Sequence, residues 1–335
     1  MANGHKKNHT KTSRRTAARR ADTLQVVAFG IGVFVFPLVA RRISVLEHYL
    51  DIMVFVGIYA LVAMGLCLLM GYAGQISLGH ASFFGLGAYI SGVMTSKFGL
   101  NPWCCMVLGG MVCAVVALVI GGPSLKLCGH YLAMATLAFC IIVTVIFNES
   151  IVWTGGPDGL AFIPGLSVFG KPLESVASYY YLVWCAVLLV FVLCLNVIRS
   201  PVGLALRSIH DSETAAGAVG VNVAKVKITA FVFSAVIASV AGSLYAHYLN
   251  FINPAGFDLF VSIKLVIMII LGGLYSLWGA IVGAGLITFL GYEWLHLFED
   301  AEVMVYGAII LVIVIFLPDG LVSLPGRIIR RKRIP

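Results

Sequence analysis

The stretch YLDIMVFVGIYALVAMGLCLLM, residues 49–70, decides the fold of this chain. Its one charged side chain, Asp51, lies next to one end. An α-helix needs about 20 apolar residues to cross the roughly 30 Å of bilayer hydrocarbon, and this run has that length. A membrane β-strand would instead alternate apolar and polar residues over about ten positions. The stretch therefore predicts a transmembrane helix.

Similar runs recur along the chain. Of its 335 residues, 61% are hydrophobic and 11% are charged, which excludes an ordinary soluble domain. We predict spans near residues 24–40, 49–70, 80–97, 103–122, 131–148, 179–198, 226–249, 259–273, 276–292 and 303–318. The Gly-rich pairs at 71–99 and 272–291 are short, and each is either two crossings or a broken, re-entrant segment. The predicted fold class is an all-α polytopic membrane protein with about ten transmembrane helices.

The distribution of Lys and Arg orients these spans. With both termini inside, 17 of the 22 Lys and Arg residues fall in inner segments and four in outer segments. Because cytoplasmic segments of membrane proteins are enriched in positive charge, both termini are predicted to be cytoplasmic. The chain then consists of a basic tail (1–23), a transmembrane domain (24–321) and a second basic tail (322–335). We interpret the first tail as an orientation signal and not as a nucleic-acid site.

Motifs for chemistry are scarce. No Asp or Glu falls in the middle of a predicted span, which disfavours coupling to protons or sodium through intramembrane carboxylates. The stretch GLSVFGKP, residues 165–172, resembles the start of a phosphate-binding loop, but Pro172 replaces the required hydroxyl residue and the stretch faces outward. His, Cys and carboxylates form no cluster with catalytic or metal-ligand spacing. The sequence therefore predicts no catalytic residues, no metal site and no bound cofactor.

A cytoplasmic insert, residues 199–225, separates the sixth and seventh predicted spans. Pro201 and Gly203 are expected to end the sixth span, because both residues disfavour a helix interior. The rest of the insert is rich in small residues, including the stretch SETAAGAVGV at 212–221.

This small-residue stretch predicts one short helix. Asp211 or Ser212 can cap its start, Glu213 suits the positive end of its dipole, and Gly220 can end it. A helix of about eight residues is too short to be stable alone in water, so it needs a partner surface. That surface is either another protein or the underside of the chain's own transmembrane helices.

Four stretches resemble one known family. ETAAGAVGVNVAKVKITAFVFSAVIASVAGSLYA, residues 213–246, resembles the E-A-A…G motif of importer-type ABC permeases, in the form found in branched-chain amino acid permeases of the LivM type. GYAGQISLGHASFFGLGAY at 71–89 is similar to the family's G-Q-x-S-L-G-H-A-x-F-x-G-x-G-A-Y stretch, and WTGGPDGL at 153–160 to its T-G-G-x-x-G-L loop. FLPDGL at 316–321 resembles the exit from its last span. The resemblance covers about residues 50–321 and is specific as a set.

This resemblance implies a type II-like ABC importer permease of the bacterial inner membrane, which is not itself an enzyme. Its short cytoplasmic helix is then a coupling helix that docks into a cleft on an ATPase. The residues assigned to it are Asp211, Ser212, Glu213, Ala215, Ala216 and Gly220. The implied partners are two ATPase subunits that bind ATP and Mg²⁺, a second LivH-like permease subunit, a periplasmic or lipid-anchored substrate-binding protein and membrane lipid, with no nucleic acid.

The family implies that leucine, isoleucine and valine are the cargo. The lack of mid-membrane acids suits a zwitterion, but it also suits urea or a short amide, whose ABC permeases look similar. A different mechanistic class, a self-sufficient secondary carrier or facilitator, would not need the short cytoplasmic helix.

Two further groups of residues are candidates for function. Gln75, Ser77 and His80 follow glycines that permit a break at membrane depth, so they either line the translocation pathway or take part in ordinary helix packing. The longest outer segment, residues 149–178, either contacts the binding protein or merely closes the outer surface. Its candidate contact residues are Trp153, Thr154, Gly155, Gly156 and Asp158.

Overall fold

The computed structural model describes residues 29–37, 44–124, 130–168, 171–173 and 175–293, with isolated residues between 304 and 321. These residues fall in two units that divide after Leu50. The predicted tails, 1–23 and 322–335, lie outside the described residues.

The described part of the chain is almost wholly helical. Residues 29–37 form α1. The following helices and strands are α2 (Ser44–Cys67), a π-helical turn (Leu68–Tyr72), α3 (His80–Phe98), α4 (Pro102–Ser124), α5 (His130–Glu149), α6 (Ile151–Thr154), a 3₁₀ turn (Gly156–Asp158), β1 (Ser167–Val168), β2 (Lys171–Pro172), α7 (Val176–Arg199), α8 (Pro201–Asp211), α9 (Glu213–Ala218), α10 (Val223–Leu249), a second 3₁₀ turn (Pro254–Phe257), α11 (Leu259–Gly272) and α12 (Leu277–Glu293). β1 and β2 pair antiparallel, with Ser167 opposite Pro172.

The predicted spans coincide with helices wherever the structure describes them. Within that part of the chain, five helical segments are long and apolar enough to cross a membrane: Tyr49–Tyr72, Pro102–Gly122, Tyr131–Glu149, Val176–Arg199 and Val223–Leu249. Two further apolar helices are shorter, and α11, with 14 residues, is only about 21 Å long. An all-α polytopic membrane fold is therefore confirmed.

Helix α10 packs closely against α3 through small residues. A Cβ atom at Gly87 would overlap the backbone of Ser239, and one at Gly242 would overlap the backbone of Phe84. The Ser243 hydroxyl donates to the Gly87 carbonyl at 3.0 Å across the same crossing. Because apolar side chains gain little from leaving lipid, such close backbone contact is a main source of stability between membrane helices. The pair therefore forms a tight, small-residue core.

Two turns meet at the end of the helices that the predicted topology places inside, and we call them the inner turns. The first is the break between the π-helical turn and α3, where Gly74 has a φ of +67°. The second turn joins α11 to α12 and includes Gly273, with a φ of +117°. A Cβ atom at Gly71 would overlap the Leu274 backbone, and the Tyr72 hydroxyl donates to the Tyr275 carbonyl at 2.9 Å. The two predicted Gly-rich pairs are thus joined at their turns.

An ordered loop covers the opposite end, which the same predicted topology places outside and which we call the outer end. Leu160 and Ile252 form an antiparallel bridge, and the Asn250 side-chain amide donates to the Ile163 carbonyl at 2.7 Å. Ile163 is buried, and it would meet a Cβ atom placed at Gly92 of α3. The loop after α5 is therefore fixed to the outer ends of α3 and α10.

Candidate functional site

The small-residue helix predicted from the sequence is present as α9, Glu213–Ala218. Its cap is Ser212, whose hydroxyl accepts from the Ala215 amide at 3.3 Å. Asp211, the alternative cap, instead ends the preceding helix. The helix has six residues and not about eight, because the chain already turns at Val219. Gly220 follows this turn and adopts a left-handed φ of +88°, which ends the helix. The predicted stop at Gly220 is confirmed.

Helix α8 was not predicted from the sequence. Pro201 and Gly203 were expected to end the sixth span, and α7 does end at Arg199, but Pro201 also occupies the first turn of α8, where its fixed φ is favourable and its missing N–H costs nothing. The Ser200 hydroxyl caps the helix by accepting from the Val202 amide at 3.2 Å. The helix buries Leu206 and Ile209, so it is amphipathic and lies against the other helices.

The polar side of α8 faces the two inner turns. The Arg207 guanidinium lies 5.3 Å from the centre of the Tyr72 ring, and His210 Nε2 lies 3.3 Å from the Tyr275 hydroxyl. A Cβ atom at Gly74 would meet the His210 ring at 2.8 Å. Residues of α8 and of both turns line a recess of about 360 Å³: Gly71, Tyr72, Arg207, His210, Asp211 and Tyr275. Helix α8 thus connects the inner turns to α9.

Helix α9 has an inner and an outer face. Ala216 is 2% exposed and packs against the chain itself. Glu213 also faces the chain, since its carboxylate pairs with the ammonium of Lys227 in α10. Ala215 and Gly217 are exposed, and Val219, just after the helix, is 80% exposed. The assigned residues therefore divide between holding α9 in place and presenting a surface of little side-chain bulk.

Gln75, Ser77 and His80 are all buried beside the inner break. The Ser77 hydroxyl lies 3.1 Å from His80 Nδ1, and His80 Nε2 lies 2.7 Å from the hydroxyl of Ser234 in α10. Neither polar atom of the Gln75 amide has a hydrogen-bond partner among the described residues. Since buried polar atoms are almost always bonded, Gln75 is the member of this group with capacity for a further ligand.

The outer-loop candidates also divide into two groups. Thr154 and Gly156 are buried, and the Thr154 hydroxyl donates to the Phe147 carbonyl at 2.6 Å. Gly155 has a φ of +81° and touches the Gly159 backbone, so it shapes the turn. Trp153 and Asp158 are exposed and available to a partner.

Sequence reasoning missed the neighbouring Phe162, which is 93% exposed and has a φ of +59°. Its signal in the sequence is weak, because a single aromatic residue in a loop has no periodicity. Two further residues missed by the site assignments are Gly217 and Lys227, on the two sides of α9.

The comparison with protein families identifies the chain. The model of the branched-chain amino acid transport system permease component matches residues 48–314. The chain belongs to this family. The matched range contains the whole of α3 to α12, so it includes α8, α9 and both inner turns.

Individual relatives agree with this assignment. The permease is 28% identical to the high-affinity branched-chain amino acid transport system permease protein LivM of Salmonella typhimurium, over 86% of this chain and 72% of the relative. LivM of Escherichia coli K12 is also 28% identical, over 90% and 75% of the two chains. BraD of Pseudomonas aeruginosa is 26% identical, over 80% of this chain and 92% of the relative. The comparison with solved structures gives no match.

The family and the apolar helices together define the setting of the site. This permease is a multi-pass protein of the inner membrane. Within the described ranges, His, Cys, Asp and Glu form no group of three that could hold a metal ion. The features that remain for function are the α9 surface, the inner break and the outer loop.

Proposed function

We propose that this chain is the membrane permease of an ATP-driven importer and carries leucine, isoleucine and valine inward across the inner membrane. Its family is one of permease components, and its LivM, LivH and BraD relatives are named for branched-chain amino acid transport. The observation that carries the ATP-driven part is the exposed face of α9. A second, LivH-like permease subunit completes the pore.

The proposed role of α9 follows from its size and its two faces. Six residues cannot form a stable helix alone in water, so α9 depends on Ser212, Ala216 and the Lys227 pair for its order. Its exposed residues are Thr214, Ala215, Gly217 and Ala218, with exposed Val219 just after the helix. Such a face lets a partner approach the helix backbone closely. We assign this partner as a cytoplasmic ATPase subunit that binds ATP and Mg²⁺.

The proposed topology has ten crossings, as in a type II-like permease, with both termini in the cytoplasm. It places α8, α9 and both inner turns on the cytoplasmic side, and the loop of residues 149–178 outside. The charge distribution supports this orientation, because Lys and Arg concentrate in the segments that it places inside. The transmembrane domain spans residues 24–321, between the basic tails 1–23 and 322–335.

We place the translocation pathway at the inner break. Gln75 supports this assignment, since its buried amide has free capacity for hydrogen bonds. Ser77 and His80 have a different role in the proposal: Ser77 bonds to His80, and His80 bonds to Ser234, which holds the break against α10. A change in that contact would alter the surroundings of Gln75.

The outer loop is the proposed contact for a substrate-binding protein, either periplasmic or lipid-anchored. Trp153 stacks beside Phe98 with ring centres 6.4 Å apart, and its ring lies 5.7 Å from the Lys97 ammonium. These contacts hold an aromatic residue in place while half of its surface stays exposed. Rigid, exposed aromatic residues are common anchors of protein interfaces.

One experiment tests the function as a whole. The tagged chain is purified from its host with the subunits that accompany it, then reconstituted in liposomes with the binding protein. Uptake of labelled leucine, isoleucine, valine and urea is measured with ATP, with a non-hydrolysable analogue and without nucleotide. We expect uptake of the three amino acids only when ATP is present, and neither with the analogue nor without nucleotide. We also expect an ATPase to co-purify with the chain. Urea uptake in their place would overturn the cargo, and uptake by the chain alone without ATP would overturn the ATP-driven mechanism.

A further inference from the structure

Lys227 lies in the first turns of α10 and is 2% exposed. Its ammonium pairs with the Glu213 carboxylate at the first position of α9, and that carboxylate retains 38% exposure. The pair therefore joins the short cytoplasmic helix to a long membrane helix, and its cationic side is enclosed by the protein.

An enclosed ammonium needs a counter-charge. The free energy of burying an unpaired charge is so unfavourable that breaking a buried pair destabilises proteins far more than breaking an exposed pair. Among the described residues near the start of α9, Asp211 is the other acid, and its side chain is 87% exposed and lies 4.0 Å from His210. Glu213 thus neutralises Lys227 from a position that also fixes the start of α9.

Helix α10, on the membrane side of the Lys227 pair, packs tightly against α3. Helix α10 crosses α3 at Gly87 and Gly242, where backbone meets backbone. Seven residues after Lys227, the Ser234 hydroxyl bonds to His80 at the inner break. A displacement of the start of α10 therefore acts on a rigid helix that reaches the break.

We propose that Lys227 is a positioning residue that joins α9 to α10, so that a movement imposed on α9 is passed to the inner break. The proposal rests on the assigned role of α9 as the coupling helix. It differs from what the family resemblance implies for Glu213, because the Glu213 carboxylate is directed to the chain's own α10 and not to the ATPase. The exposed small-residue face, and not this acid, meets the partner.

Exchange of the two charges tests the proposal. The single variants Glu213→Lys and Lys227→Glu each place two like charges together, and the double variant restores an opposite pair. In the reconstituted complex, leucine moved per ATP hydrolysed is compared at equal membrane level. We expect each single variant to lower this ratio about tenfold or more, while the double variant recovers most of it. Lys225→Glu, two residues away at an exposed position, is the matched control and should keep the wild-type ratio.

A neutral pair keeps the test decisive if the exchanged pair fails to reach the membrane. Glu213→Gln leaves Lys227 buried without a counter-charge, whereas Glu213→Gln with Lys227→Gln removes both charges and permits a hydrogen bond. The proposal requires the double neutral variant to transport more leucine per ATP than the single variant. An equal or lower ratio in the double variant overturns it.

The outcomes also separate this proposal from the proposed function. If both double variants stay as uncoupled as the singles while the ATPase still co-purifies with wild type, Glu213 acts on the partner and Lys227 has no positioning role. If no ATPase accompanies the wild-type chain, the proposed function itself fails.

Discussion

Bulk added at Gly217 should weaken the docking of α9 to its partner. The position is exposed, and no heavy atom of the described residues lies within 4 Å of a Cβ atom placed there. Its φ is outside the left-handed region that would disfavour a side chain, and Trp is a better helix former than Gly. Gly217→Trp is therefore tolerated by the permease itself, and its effect falls on whatever approaches the helix.

The size of the effect follows from the close fit that a small-residue face permits. Overpacking a well-fitted contact costs about 1–3 kcal/mol, which weakens association about 5-fold to 150-fold. The assay is titration of the ATPase subunit against the permease in nanodiscs, together with the membrane level of each variant. ATP-driven leucine uptake should fall in parallel with the affinity.

Gly122 provides the matched control. A Cβ atom there also meets no described heavy atom within 4 Å, and the residue lies near the C-terminal end of a different helix, α4. Gly122→Trp should bind the ATPase normally. Normal affinity of Gly217→Trp would refute the docking of α9, and equal losses in both variants would show that the effect is not specific to this helix.

Three other predictions concern the cap, the core and the outer loop. Ser212→Ala should cost about 1 kcal/mol of helix stability and weaken ATPase binding about fivefold, while Ser212→Asp should bind normally; equal affinities in both variants would contradict the role of the cap. Gly242→Leu must displace the backbone of α3, so the thermal midpoint of the purified permease should fall. Gly110→Ala, whose Cβ meets a side chain at an ordinary 3.7 Å, should leave the midpoint unchanged. An unchanged midpoint in Gly242→Leu would count against the crossing of α10 and α3. Trp153→Ala should weaken the affinity for the binding protein about fivefold or more in a titration, and it should leave the protease resistance of the loop unchanged. Thr154→Val should instead lower that resistance. Normal affinity in Trp153→Ala would exclude Trp153 as an anchor.

Local sequence signals predicted much of the site around α9. Ser212 as a cap and Gly220 as a stop are decided by side-chain chemistry and by backbone sterics within a few residues. Helix α8 was missed because Pro201 reads as a helix end when its partner contacts are unknown. Its apolar face, with Leu206 and Ile209, is stable only when it is packed against the rest of the chain, and the sequence does not show which elements lie near it.

The exposed surface of the outer loop shows the same limit. The stretch around Trp153 predicts an ordered loop, since its glycines need positive φ values to turn the chain. Which side chains face a partner depends on distant residues, such as Phe147 that binds Thr154. Exposure of Trp153 and burial of Thr154 could not be separated from the sequence, because both are plausible loop residues.

The sequence by itself determined the membrane class, the positions of the described membrane helices and the presence of a short capped helix near 213–218. These properties depend on runs of apolar residues and on bonds between near neighbours, which the order of residues fixes directly. Only the tertiary structure decided that Glu213 faces Lys227 and that His80 meets Ser234. In the sequence Lys227 is one of three cations, with Arg207 and Lys225, that flank the short helix and can attract its acids. Its burial beside an acid on another helix depends on how α9 folds back onto α10, and that contact arises only when the helices pack.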